Sequence, residues 1–199
     1  ELLAAGPSVV YGMWGVFVAV PAIARFEAFV GQRLGTIPLF SGPPIGIGML
    51  AAGVILAIMV LPFVASISRE AILAVPRAQR EAALALGATK WEVIRGPVLR
   101  YARKGILGGI VLALGRALGE TMAVTMVIGN VPQISFSLFQ SGYTMSALLA
   151  NEFAEATKPL HIAALTEIGG LLLVLTVVVN LLARLLIWSV AARSMGEAV

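Results

Sequence analysis

Residues 45–67 read IGIGMLAAGVILAIMVLPFVASI, 23 consecutive positions without one charged side chain. A helix needs roughly 20 such residues to cross the hydrocarbon core of a bilayer. The turn-forming Ser41-Gly42-Pro43-Pro44 precedes the stretch, and charged residues begin again at Arg69 and Glu70. Working outward, three further apolar stretches have comparable length: about 2–24, 105–129 and 160–190. The third carries two charges inside it, and the last is long enough to tilt or to project beyond the membrane. The four together predict an all-α, polytopic membrane protein built as a single transmembrane domain over residues 1–199.

Composition agrees with that class. The chain is 59% hydrophobic and only 12% charged, with a mean hydropathy of +0.97. Soluble domains are about 45–50% apolar and about 25% charged, so a soluble fold and long disorder are both excluded. Zero cysteines exclude disulfides, thiolate metal sites and Cys nucleophiles. All ten acidic residues are Glu, and the single histidine, His161, cannot build a zinc site alone. No catalytic or metal-binding set is therefore expected. The abrupt start at Glu1, with no basic segment before the first apolar run, leads to the expectation of a piece of a longer chain without a cleavable signal peptide.

The net charge of +4 is a topology signal rather than a nucleic-acid signal, because eight of the fourteen Lys and Arg lie between Arg69 and Lys104. Loop 25–44 holds only Arg25 and Arg33, and loop 130–159 holds only Lys158. The positive-inside rule then places 68–104 in the cytoplasm and the other two loops outside. The tail carrying Arg193 ends inside, with Trp188 as an interfacial anchor.

The basic loop has helix punctuation of its own. Ser68 is positioned to cap a helix over Arg69–Val75, Pro76 interrupts or restarts it, and 78–86 is rich in Ala and Leu at helical spacing. Gly87 is a stop signal. Thr89 with Glu92 three residues later forms a capping-box pattern. The loop thus reads as two or three short helices outside the membrane, either a solvated surface or a docking element for a cytoplasmic partner.

Within that loop, Glu81-Ala82-Ala83-Leu84-Ala85-Leu86-Gly87 resembles the EAA loop of the membrane subunits of bacterial ABC importers. The resemblance implies a coupling helix seated on an ATPase subunit, with Glu81, Ala82, Ala83 and Gly87 as its marker residues. The family pattern continues with Ile-x-Leu-Pro, whereas this chain has Pro97-Val98-Leu99-Arg100. The resemblance therefore rests on the Glu81–Gly87 core of the loop.

The segment Gly115-Arg116-Ala117-Leu118-Gly119-Glu120-Thr121-Met122-Ala123-Val124 is more specific and resembles the phosphate-uptake permeases of the PstC type. Sulfate and molybdate permeases carry a similar Arg-Ala-Leu-Gly-Glu segment but continue with Phe-Gly. Thr125-Met126-Val127-Ile128-Gly129-Asn130 and Pro7-Ser8-Val9-Val10-Tyr11-Gly12 extend the likeness over nearly the whole chain. It implies an ABC importer permease fold of six spans, four of them here, in the bacterial inner membrane. It also implies an ATP-binding subunit dimer that holds ATP and Mg, a second permease of the PstA type, and an extracytoplasmic phosphate-binding protein. This chain has no phosphate-binding G-x-x-x-x-G-K-[ST] segment, so no cofactor is expected on it.

Arginine at bilayer depth costs about 2.5–3.5 kcal/mol on insertion scales, which makes Arg116 a functional candidate. Arg116 and Glu120 lie four apart and would share one face of a continuous helix. Gly115 and Gly119 make that face approachable. The pair is open to two readings: a buried ion bridge that fixes packing, or a guanidinium for a passing oxyanion held in check by the carboxylate. Thr121 and Thr125 are candidate oxyanion donors, though Thr in such helices often bonds its own backbone. Glu167 has a weaker pathway claim. Asn180 reads as an interhelical hydrogen bond, His161 as interfacial, and Met122 and Met126 as packing. Segment 130–159 is patchily amphipathic, either a cap over a pathway or a membrane-surface segment. Rival classes are a sulfate or molybdate permease, a structural adaptor, and an intramembrane enzyme, the last disfavoured by the missing Cys, Asp and G-x-S-x-G.

Overall fold

A computed structural model describes residues 6–196. The start of the first expected span at 2–5 and the side chain of Arg193 lie outside the described residues. All named elements among them are helices: α1 (Ser8–Leu34), α2 (Met49–Leu73), α3 (Arg77–Ala85), α4 (Lys90–Val93), α5 (Leu99–Leu118), α6 (Met122–Thr125), α7 (Met145–Glu152) and α8 (Pro159–Gly196). Three are long and apolar enough to cross a membrane: α1, α2 and the segment Pro159–Leu185 of α8.

Several expected boundaries move. α1 runs ten residues past the expected end at 24, because 25–34 contains good helix formers and buries Glu27 one turn after Ile23. Half of the expected loop 25–44 is therefore part of α1. Ser68 starts nothing: α2 continues through it to Leu73, since Ser tolerates a helix interior when no turn residue follows. The stretch 105–129 is not one helix. α5 stops at Leu118, and the chain turns at Gly119–Glu120 before the short α6.

The chain divides into two compact units. In the first, described residues 6–60 and 117–176 share a core of Ala19, Ile23, Ala51, Ala52, Ile55, Ala123, Val124, Val127 and Ile128. Small residues set its spacing. A Cβ on Gly12 would approach Met126 Sδ to 2.5 Å and Ala123 Cα to 3.2 Å, so α1 packs on α6 nearly backbone to side chain. The first N–H groups of α2, which no helix can satisfy internally, donate to loop carbonyls: Gly48 to Val127 at 3.0 Å, Met49 to Gln140 at 3.1 Å and Leu50 to Leu138 at 2.9 Å. Phe139 is buried beside Phe40, with ring centroids 5.7 Å apart.

In the second unit, described residues 61–116 and 177–196, the basic segment has its own small core of Val75, Val93, Val98 and Ala102. Ala71, Ile72, Ala83, Ala88 and Ile106 pack against it. Pro97 does not end the helix it enters. The turn Ile94–Val98 widens to π-type spacing, which accommodates the missing N–H and joins α4 to α5.

Candidate functional site

The basic segment presents α3 as a short, outward-facing helix. Pro76 precedes its first residue, with the fixed φ that suits a helix entry. Its end is a Schellman motif: the Gly87 N–H donates to the Leu84 carbonyl at 2.9 Å and the Ala88 N–H to the Ala83 carbonyl at 3.2 Å. Gly87 sits at φ +86°, where a side chain would be strained. Immediately after it, Thr89 and Glu92 close the capping box that opens α4. The Thr89 N–H and hydroxyl donate to Glu92 Oε2 at 2.7 and 2.8 Å, and these bonds hold the carboxyl below its ordinary range.

The four marker residues of this segment separate by face. Glu81, Ala82 and Gly87 are exposed, whereas Ala83 is half-buried against the Val75–Val98 core. Leu86, 89% exposed, and Trp91, 68% exposed, extend the free face with apolar surface. Large apolar side chains left exposed on a charged segment are suited to a protein contact. Arg80, which the sequence did not single out, fixes the attitude of α3. Its Nη2 donates to the Ile72 carbonyl at 2.7 Å, across to the last turn of α2.

Arg116 lies in the last turn of α5, where a cation complements the helix dipole. Its side chain is exposed, and its guanidinium carbon stands 5.6 Å from the centre of the Phe63 ring on α2. A cation over an aromatic face is held without being neutralised. Phe63 is a second residue that the sequence did not mark, since nothing separates it from any other Phe in an apolar helix. Gly115, beside Arg116, faces the Asn180 amide, whose Oδ1 would be 3.1 Å from a Cβ there.

Glu120 stands beyond the end of the helix that carries Arg116, so the expectation of a shared helical face does not hold. Its carboxylate instead accepts from the Ala123 N–H at 3.3 Å and caps α6. Its carbonyl accepts from the Ser146 hydroxyl at 2.9 Å. The Thr121 hydroxyl donates to the Gly119 carbonyl at 3.2 Å, and Thr125 to the Thr121 carbonyl at 2.8 Å. Both hydroxyls are thus spent on backbone, though each oxygen retains acceptor capacity. Glu167 is exposed on α8, and His161 Nε2 lies 3.0 Å from Glu152 Oε2, tying the start of α8 to the end of α7. Among the described residues no group of three or more His, Cys, Asp or Glu is placed to hold a metal.

The family model described as "Binding-protein-dependent transport system inner membrane component" matches residues 2–191. A phosphate transport system permease protein PstC of Xylella fastidiosa (strain 9a5c) is 51% identical over 192 residues, covering 94% of this chain and 59% of that protein. The PstC of Mesorhizobium japonicum is 47% identical, covering 98% of this chain and 61% of its own length. A probable PstC of Methanocaldococcus jannaschii is 41% identical over 92% of this chain and 58% of its own. The chain therefore spans about three fifths of the length of these relatives. No solved structure matches. With long apolar helices and a family match over almost its entire length, the chain belongs to the binding-protein-dependent transport system inner membrane components.

Proposed function

We propose that the chain is the membrane-spanning permease subunit of an ATP-driven phosphate importer in the bacterial inner membrane. The observation that carries this reading is the likeness to proteins named phosphate transport system permease protein PstC, 51% and 47% identical over 94% and 98% of this chain. Segment 68–104 then faces the cytoplasm and seats α3 on a separate ATPase, with Glu81, Ala82, Leu86 and Trp91 on the contact face and Arg80 fixing its angle. ATP and Mg belong to that partner. A second, PstA-type permease completes the pathway, and an extracytoplasmic binding protein delivers phosphate.

Arg116 is the oxyanion's contact in this scheme. Its exposed guanidinium offers two parallel N–H donors to a tetrahedral oxyanion. The Phe63 ring orients the group without competing for its charge. Glu120 and Thr121 shape the turn that follows.

The test is ATP-dependent uptake of labelled phosphate into vesicles that contain the whole complex. Arg116→Ala abolishes uptake, Arg116→Lys lowers it, and Glu81→Lys uncouples it from ATP. An excess of sulfate or molybdate leaves uptake unchanged. Inhibition by either anion would reassign the cargo, and full uptake in Arg116→Ala would remove that residue from the pathway.

A further inference from the structure

The eight cations of segment 69–104 are not spread evenly over its surface. Arg100, Arg103 and Lys104 cluster on the first turns of α5 and line a groove of about 580 Å³. Ala71 and Ala74, at the end of α2, form the opposite wall. The floor is built from small residues in close contact: a Cβ on Gly105 would come within 2.6 Å of the Ala71 Cβ. Long cationic side chains thus rise around a shallow bed with no bulk at its base. A second groove, of about 440 Å³, lies on the other side of Arg100 and Tyr101 and is completed by Gln79, Gly96 and Pro97.

Among the described residues, Arg100, Arg103 and Lys104 make neither an ion pair nor a side-chain hydrogen bond. Three cations on adjacent turns repel one another, and, beyond marking the cytoplasmic side, their repulsion is offset when an anion is supplied from outside. The donor set specifies which anion. Two planar guanidiniums, an ammonium and the Tyr101 hydroxyl suit a phosphate group, which accepts several charge-assisted bonds at once. The location specifies it further. The groove lies where α2 and α5 leave their apolar stretches, and Tyr101, 51% exposed, is the kind of aromatic that sits at headgroup level.

We infer that Arg100, Tyr101, Arg103 and Lys104 form a phosphate-group site at the cytoplasmic edge of the membrane, filled by the headgroup of an anionic phospholipid. The site is separate from Arg116 and rests on the orientation proposed above, not on the transported substrate. Free inorganic phosphate carries the same recognition chemistry and is the other source of such a group. Basic pockets at the inner end of membrane helices collect anionic headgroups by this means.

The complex is purified from nanodiscs containing equal phosphatidylglycerol and phosphatidylcholine, and the retained lipid is counted by native mass spectrometry. The wild type keeps phosphatidylglycerol over phosphatidylcholine by about a hundredfold, as three juxtamembrane cations provide. Arg100→Gln, Arg103→Gln and Lys104→Gln together reduce that preference to near parity. Arg100→Lys with Arg103→Lys keeps most of it, and the triple change Arg77→Gln, Lys90→Gln and Arg95→Gln leaves it intact. A second arm titrates labelled inorganic phosphate against the same proteins without anionic lipid. Binding that disappears in the groove variant, with no lipid preference in the wild type, would uphold the site and make free phosphate its ligand. Equal loss in the two triple variants, or no difference between wild type and groove variant in either arm, would overturn it.

Discussion

Glu27 and Gly46 are joined across nineteen residues by one buried hydrogen bond, the Gly46 N–H donating to the Glu27 Oε2 at 2.8 Å. Glu27 is fully buried in the last third of α1, and Gly46 lies in the turn that leads into α2. The glycine is obligatory there. Its φ is +76°, and an added Cβ would overlap the Val20 carbonyl oxygen and come within 2.9 Å of the Ala24 Cβ. Carboxylate and glycine together strap the 41–48 turn onto α1.

Removing either half of the strap lowers stability. Glu27→Ala strands the Gly46 N–H and costs about 1–3 kcal/mol, the usual range for a buried donor left without a partner. Glu27→Gln retains an acceptor and costs less. Gly46→Ala meets both the strained φ and the collision, and is the most damaging of the three. Thermal unfolding of the detergent-solubilised complex ranks them. A Glu27→Ala protein as stable as wild type would show that the strap is dispensable.

Arg116 and Phe63 make a second pairing with a measurable consequence. A cation–π contact at an exposed site is worth about 0.5–1 kcal/mol. Phe63→Leu preserves the apolar bulk and removes the ring face, so phosphate uptake at low substrate falls about two- to fivefold. Phe63→Tyr restores it. Unchanged uptake in Phe63→Leu would mean that the ring does not position the guanidinium.

What the sequence disclosed and what it concealed divides by range of interaction. Gly87 and the Thr89–Glu92 box are legible because their partners lie within four residues, and local stereochemistry decides them. Apolar length likewise marks α2 and α8, since bilayer crossing is a property of a continuous stretch. The break after Leu118 is not legible in that way. Residues 115–129 read as uninterrupted helix, and the turn is held by Glu120 capping Ala123 and by the Ser146 hydroxyl from 26 positions away. Glu27 is the clearest loss. In Ala-Arg-Phe-Glu it looks like the start of a solvated loop, and only its distant partner at Gly46 gives it a place in the core. Arg80 escapes notice for the same reason, because its partner is a backbone carbonyl that carries no sequence signature.

Neighbouring glycines in α5 provide a controlled contrast. A Cβ on Gly109 would meet Ile67 Cγ2 at 2.8 Å, whereas one on Gly108 would have nothing within 4 Å. Gly109→Ala forces α2 and α5 apart and costs about 1–3 kcal/mol, as overpacking generally does. Gly108→Ala only improves helix propensity and gains up to about 1 kcal/mol. Opposite shifts in unfolding temperature are expected from two substitutions one residue apart. Equal shifts would contradict the close α2–α5 contact.

The Thr89–Glu92 box has a pH dependence with a definite sign. Hydrogen bonds from the Thr89 backbone and hydroxyl favour the ionised Glu92, so its carboxyl titrates below the ordinary value of 4.5. A group with a depressed folded pKa contributes stability that is present above the unfolded value and is lost as pH falls through the folded one. The start of α4 is therefore firm near neutrality and loosens in acid. Hydrogen exchange of peptides covering 88–95, corrected for the intrinsic rate, reads this directly between about pH 6 and pH 3. Protection in the wild type falls with pH. In Glu92→Gln, which cannot ionise, it is lower at neutrality and flat. Thr89→Ala removes the hydroxyl but keeps the backbone donor, so a weaker pH response survives. A wild-type profile as flat as that of Glu92→Gln would mean that the carboxylate adds nothing to the cap.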